Sequence, residues 1–242
     1  MICVSTLEIR SRSTLVMARA EGVEAWTLGE PMERAGEASK PSRILAEGLV
    51  APTLTAAAGT WFAAPQGVTD EEAVILPIAI QINEAVRRAE VSLGDPLLIL
   101  GGGLRADLAA MAAARRGAVP VRVDPAAPAD SGSERPRAAV VLESGQGFEA
   151  AACRQVRVRG IVLLAMAGGG SKGQFDFYRN LQQTSVRMVG VPLPALPPSG
   201  RSADEAIALA RAFLSQGKGP QVVAPEDWAA RGVGDYLVRW KQ

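Results

Sequence analysis

Gly101, Gly102 and Gly103 stand where a short apolar run, Leu97 to Leu100, gives way to an alanine-rich segment. A second apolar run follows and ends in the acid Asp124. Residues of these types in this order build a strand, a tight turn, a helix and a second strand. The glycines let the backbone pass beneath a phosphate, the helix N-terminus offers N–H groups and a positive dipole end, and the acid accepts from ribose hydroxyls. The chemistry is that of holding an adenosine-containing cofactor. Gly101 and Gly103 match the first two glycines of a G-x-G-x-x-G/A loop, and Ala106 stands at the third.

Two readings are open for this loop: a working nucleotide site, or a relic whose glycines serve only close strand–helix packing. As a site, Asp124 favours NAD over NADP, because a carboxylate repels a 2′-phosphate. Arg122 and Arg105 would reverse that preference, and Arg105 reads equally well as a plain solvent-facing side chain. A Gly-rich loop followed by a strand ending in an acid also describes an S-adenosylmethionine site, so a methyltransferase is a further reading.

Other reactive groups are few. The chain has no histidine, which removes the commonest proton carrier and metal ligand. Its two cysteines, Cys3 and Cys153, form no ligand spacing, and no metal site is expected. Cys153, in an alanine-rich segment, reads as a buried filler. Tyr178, Lys172 and Asp176 fall together in SKGQFDFYRN and are the candidate proton donors, with surface roles as the alternative.

The elements that would position these groups follow from pattern. Residues 14–28 alternate around Glu21-Gly22 as a hairpin, and residues 31–45 are breaker-rich, an expected loop. Short strands are expected between Ile44 and Phe62. Thr69-Asp70-Glu71-Glu72 is a capping box opening a largely apolar helix to about Arg88, with Pro77 expected to kink it. Ser92 to Asp95 turns into the strand that meets the glycines. Beyond Asp124 a Pro/Ser/Ala stretch reads as loop. Ala138–Leu142 and Gly160–Ala167 read as buried strands around a helix at 148–157, and Val186–Val191 as a further strand. Residues 192–200 read as a proline loop, Ala203–Gln216 as an amphipathic helix, and the tail with Trp228, Leu237 and Trp240 as one or two packed helices.

A net charge of +1 gives no electrostatic footprint for nucleic acid or an anionic membrane. The absence of an apolar segment near the ~20 residues of a membrane span, and sparse cysteine, point to a cytoplasmic protein.

Several of these phrases resemble the medium-chain dehydrogenase/reductase superfamily. GVTDEEAVILPIAIQINEAVRRAEVSLGDPLLILGGG resembles its junction helix and first Rossmann strand, VVLESGQGFEAAACRQVRVRGIVLLAMAGG its fourth and fifth strands, and FDFYRNLQQTSVRMVGV its sixth. LVMARAEGVEAWTLGEP resembles its opening hairpin. The resemblance covers most of residues 61–225 plus the hairpin. It implies an α/β fold with a reduced Rossmann-like parallel sheet of order 2-1-4-5-6 and a small N-terminal β remnant of a GroES-like domain. The expected division is 1–68, 69–225 and 226–242.

The resemblance further implies NAD(P) held by Gly101, Gly102, Gly103, Arg105, Ala106 and Asp124. Ser144, Gly145, Ala165 and Gly168 would lie toward the nicotinamide end. The family's zinc-binding Cys, His and Glu have no counterpart here, nor do the elements that follow Asp124 in relatives, which help wall the adenine pocket. A zinc-independent NAD(P)-dependent oxidoreductase acting on a small molecule is one expectation. A degenerate homologue without redox activity, serving as scaffold subunit or non-redox enzyme, is the other. In dimeric relatives the strand at Arg187–Val191 pairs with its symmetry mate, so a homodimer is expected.

Overall fold

The computed structural model describes residues 6–19, 22–32, 43–48, 51–57, 61–123, 135–143, 147–166, 175–193, 201–231 and 234–240. The chain divides into two compact units, one of residues 1–77 and 194–242, the other of residues 78–193. No helix among the described residues is long and apolar enough to cross a membrane.

The first unit is built on a seven-stranded sheet. The hairpin expected around Glu21-Gly22 is present and longer than the pattern suggests: β1 (Thr6–Arg19) pairs antiparallel with β2 (Gly22–Pro31). The register shifts between Ser11 and Ser13, leaving Arg12 as a bulge residue. Beside this pair lie β3 (Ile44–Glu47) and β5 (Trp61–Ala63), while β4 (Thr53–Ala57) pairs with the first half of β1.

The C-terminal stretch enters the same sheet, and here the expectation of helices fails. After α4 (Arg201–Ser215) come β11 (Gln221–Val223), one 3-10 turn at Trp228–Ala230, and β12 (Gly234–Arg239), which pairs antiparallel with β1. Tyr236 and Val238 alternate onto one face, packing with Val16 and Val223, with Trp228 and Trp240 against them. A period of two over six residues, with aromatic and β-branched side chains, satisfies a strand better than one and a half helical turns.

The helix α1 (Asp70–Arg88) starts at the expected capping box. Thr69 N–H donates to Glu72 Oε2 at 3.0 Å, and Glu72 N–H to Thr69 Oγ1 at 3.2 Å. It runs through Pro77, where the division between the units falls. Its first turn is locked by four arginines of the first unit. Arg43, just before β3, and Arg12 of β1 meet Asp70 at 3.0 and 3.5 Å, Arg239 of β12 meets Glu71, and Arg211 of α4 meets Glu72 at 3.0 Å.

The second unit contains the parallel sheet. β6 (Pro96–Leu100), α2 (Gly103–Arg115), β7 (Val119–Val123), β8 (Ala138–Val141), α3 (Phe148–Gln155), β9 (Ile161–Leu164) and β10 (Arg187–Gly190) follow in sequence. The strand order is β10-β9-β8-β6-β7, all parallel. This is the expected 2-1-4-5-6 arrangement, with β6 as the first strand. β6 and β8 are apolar because the sheet is covered on both faces at its centre. Leu98, Leu100, Val141, Val162 and the α3 residues Phe148, Ala151 and Ala152 share one cluster.

The two sheet edges differ. At β7, Val119 N–H donates inward to Asp95 O, so by the strand's period of two the ring nitrogen of Pro120 lies on the outer side. At β10, Arg187 and Val191 donate inward to Gly160 O and Leu164 O, which leaves the N–H groups of Met188 and Gly190 directed outward. Of the segments expected as loops, 31–45, 125–137 and 192–200, residues 33–42, 125–134 and 194–200 lie outside the described residues. Pro31 closes β2 and Ile44 and Leu45 open β3, so the first expectation is too wide at both ends.

Candidate active site

The chain leaves β6, turns through the glycines and enters α2. Gly101 adopts φ +126° and Gly103 φ +60°, conformations that side-chain-bearing residues rarely take. A Cβ on Gly101 would lie 3.0 Å from Leu142 Cβ and 3.3 Å from Glu143 Cγ, so the loop is pressed against the end of β8. β6 sends α2 toward β7 on one side and borders β8 on the other. The loop therefore sits at the reversal of strand order, where open parallel sheets bind their ligands.

Gly102 is the N-cap of α2 and has no side chain to cap it, and the first turn carries no acid. The cap comes from 41 residues away: Glu143, just past β8, accepts from Gly102 N–H through Oε1 at 2.7 Å. Sequence reading missed this residue. Its only signal is its place directly after a buried strand in the same layer as the glycine loop.

Arg105 is buried, at 3% exposure, which removes the solvent-facing reading. Its Nη1 donates to Gln81 Oε1 at 2.6 Å and to Ala165 O at 3.1 Å. Gln81, on α1, donates in turn to Val191 O at 2.7 Å and Met166 O at 3.4 Å. One guanidinium and one amide thus gather the carbonyls at the C-terminal ends of β9 and β10. Arg105 lies in a glycine turn where a solvent-facing side chain reads equally well, and Gln81 lies in a helix that reads as largely apolar, so their pairing could not be seen in sequence.

Of the other expected site residues, Ala106 and Ala165 are buried, and Asp124, Ser144, Gly145, Gly168 and Lys172 lie outside the described residues. Arg122 pairs with Asp107 on α2. Tyr178 is 61% exposed in the π-helical turn Tyr178–Gln182, and Asp176 Oδ1 accepts from Arg179 N–H at 3.0 Å, capping that turn. Cys153 is buried in the α3 cluster. Burial, with the nearby Glu149 carboxylate, pushes its thiol up to about 11 against the opposing pull of Arg154, so it is no nucleophile at neutral pH. No group of three or more Cys, Asp or Glu side chains among the described residues is placed to hold a metal ion.

The residues present fit the phosphate-bearing part of a dinucleotide. The loop residues carry no side chains of their own, take left-handed conformations at Gly101 and Gly103 that a Cβ would resist, and lead into a helix of 13 residues.

In the first unit, an open cleft of ≈ 320 Å³ is lined by Arg12, Ser13, Asp70, Glu71, Arg239 and Trp240. Its two carboxylates are paired with its two arginines, so it reads as part of the α1 clamp.

No protein-family model matches the chain, and no curated protein matches it. Solved structures do. Acetophenone reductase from Geotrichum candidum NBRC 4597, in complex with NAD, superposes with a TM-score of 0.68 at 14% identity, over 98% of this chain and 90% of that one. Quinone oxidoreductase of Pseudomonas syringae pv. Tomato DC3000 gives 0.68 at 14%, over 98% and 91%. Escherichia coli quinone oxidoreductase complexed with NADPH gives 0.65 at 13%, over 98% and 92%. At these identities the similarity establishes a shared fold.

Proposed function

With the fold of the medium-chain dehydrogenases and reductases as premise, we propose that the chain is a zinc-independent, NAD(P)-dependent oxidoreductase acting on a small molecule. The observation that carries this reading is the Gly101–Gly103 turn, at the reversal of strand order and opening α2. Bound NAD(P) would supply hydride chemistry. The backbone of Gly101 to Gly103 and the positive end of α2 would hold its phosphates. Arg105 and Gln81 fix the ends of β9 and β10, the layer from which Ala165 and the neighbouring Gly168 would line the nicotinamide end. NAD is favoured over NADP through Asp124. Tyr178, Asp176 and Lys172 are the candidate proton donors.

A second reading, a homologue without redox activity, draws on a specific observation: Glu143 and the Arg105–Gln81 pair already take polar groups of this layer. Calorimetric titration with NADH, NADPH and S-adenosylmethionine separates the readings. The expected result is reduced-nucleotide binding abolished by Gly103→Val. Binding of S-adenosylmethionine alone would make the chain a methyltransferase, and binding of none would leave the second reading.

The proposal extends to a homodimer paired through β10, supported by the outward N–H groups of Met188 and Gly190.

A further inference from the structure

We infer that Glu143 is an internal counter-ligand of the glycine loop, which the phosphates of a bound nucleotide must displace, so that this one residue sets nucleotide affinity. The inference rests on the proposed nucleotide site. α2 has neither a side-chain cap of its own nor an acid in its first turn, whereas α1 has a capping box and three acids. The negative charge shown at the α2 N-terminus among the described residues is Glu143, delivered from just past the neighbouring strand to Gly102 N–H at 2.7 Å in a partly buried position. The placement is tight: a Cβ on Gly101 would meet Glu143 Cγ at 3.3 Å, and one on Gly102 would meet Oε1 at 3.5 Å.

A diphosphate brought to the same helix end carries about two further negative charges into a site screened less than bulk water. Carboxylate and phosphate both draw stabilisation from the same dipole, and each repels the other. Nucleotide binding therefore requires the Glu143 side chain to leave the loop, and part of the binding energy goes into uncapping α2. An uncharged adenosine meets no such opposition.

The test compares wild type with Glu143→Gln, whose amide oxygen can still accept from Gly102 N–H. NADH, ADP and adenosine are titrated into each, with circular dichroism confirming that both proteins are folded. The expected result is about tenfold tighter NADH and ADP binding by Glu143→Gln, with adenosine unchanged. Equal or weaker NADH binding by the variant, or an equal gain for adenosine, would overturn the inference while leaving the proposed site standing. No binding of NADH or NADPH by either folded protein would overturn the proposed function, and this inference with it.

Discussion

Glu143 Oε1 accepts a hydrogen bond from Gly102 N–H at 2.7 Å, so the helix α2 is capped by a residue 41 positions further along the chain. A cap from the next strand does for α2 what Thr69 and Glu72 do locally for α1. It also ties the loop after β6 to the end of β8. Glu143→Ala should lower stability by about 1 kcal/mol, the ordinary worth of a helix cap, while Glu143→Gln should retain most of it. Urea unfolding of the three proteins measures both, and a neutral Glu143→Ala would show that the bond does not support the helix.

The buried guanidinium of Arg105 is supported by Gln81 and the Ala165 carbonyl. Removing Gln81 leaves that charge less well satisfied in the interior, along with the Val191 carbonyl. Gln81→Leu should cost about 2–3 kcal/mol, more than the isosteric loss of packing alone. The double change Gln81→Leu with Arg105→Met should recover part of the loss. Additive losses in this cycle would show that the two side chains act independently.

Glu149 presents the opposite case. It is 6% exposed, and its Oε1 is sealed from solvent without a hydrogen bond. Its place in the first turn of α3 returns about 0.3–1 kcal/mol from the helix dipole, less than the roughly 1–3 kcal/mol that an unmade buried bond costs. Glu149→Met should therefore raise stability by about 1 kcal/mol. A loss of similar size in thermal unfolding would mean that the carboxylate has a role which outweighs its burial.

Two carboxylates tie stability to acid pH. For Glu71, partial burial acts to raise the pKa, but its own backbone N–H and Arg239 outweigh it, leaving it below 4.5. For Glu84, the hydrogen bond from Arg87 leads, with Arg88 adding to it, and the result is again below 4.5. A folded-state pKa depressed in this way stabilises the fold above the unfolded value. That stabilisation is lost as pH falls through the folded value. Unfolding free energy should decline below about pH 4.5, and the decline should be shallower in Glu71→Gln and Glu84→Gln. Parallel pH profiles for wild type and both variants would remove these groups from the acid response.

In the proposed dimer, Met188→Pro deletes an outward N–H of β10 without touching the inward bonds of Arg187 and Val191. The variant should run as a monomer in light scattering where the wild type runs as a dimer. A monomeric wild type would refute pairing through this edge.

Most of the parallel sheet was legible in the sequence because each buried strand is a short apolar run bounded by breakers, and because Gly101 to Gly103 mark the turn between β6 and α2. The capping box at Thr69 was legible because both partners lie within four residues. Glu143, Arg105 and Gln81 were not, because their partners lie 24 to 110 residues away and nothing local distinguishes a buried arginine from an exposed one. The strand β12 was misjudged for a similar reason. Tyr236, Leu237 and Val238 become a strand only because β1 is there to pair with them.

Pro120 decides how far the parallel sheet can grow. With no N–H on the outer side of β7, that edge offers a strand partner one donor fewer at its centre. The opposite edge keeps its outward N–H groups. A sheet with two equivalent free edges can stack copy upon copy into a fibre. A sheet with one discouraged edge has a single growing point, and when two copies meet through it across a two-fold axis, none remains. In the proposed dimer, one imino acid would thus bias association toward a closed pair and away from an open-ended polymer.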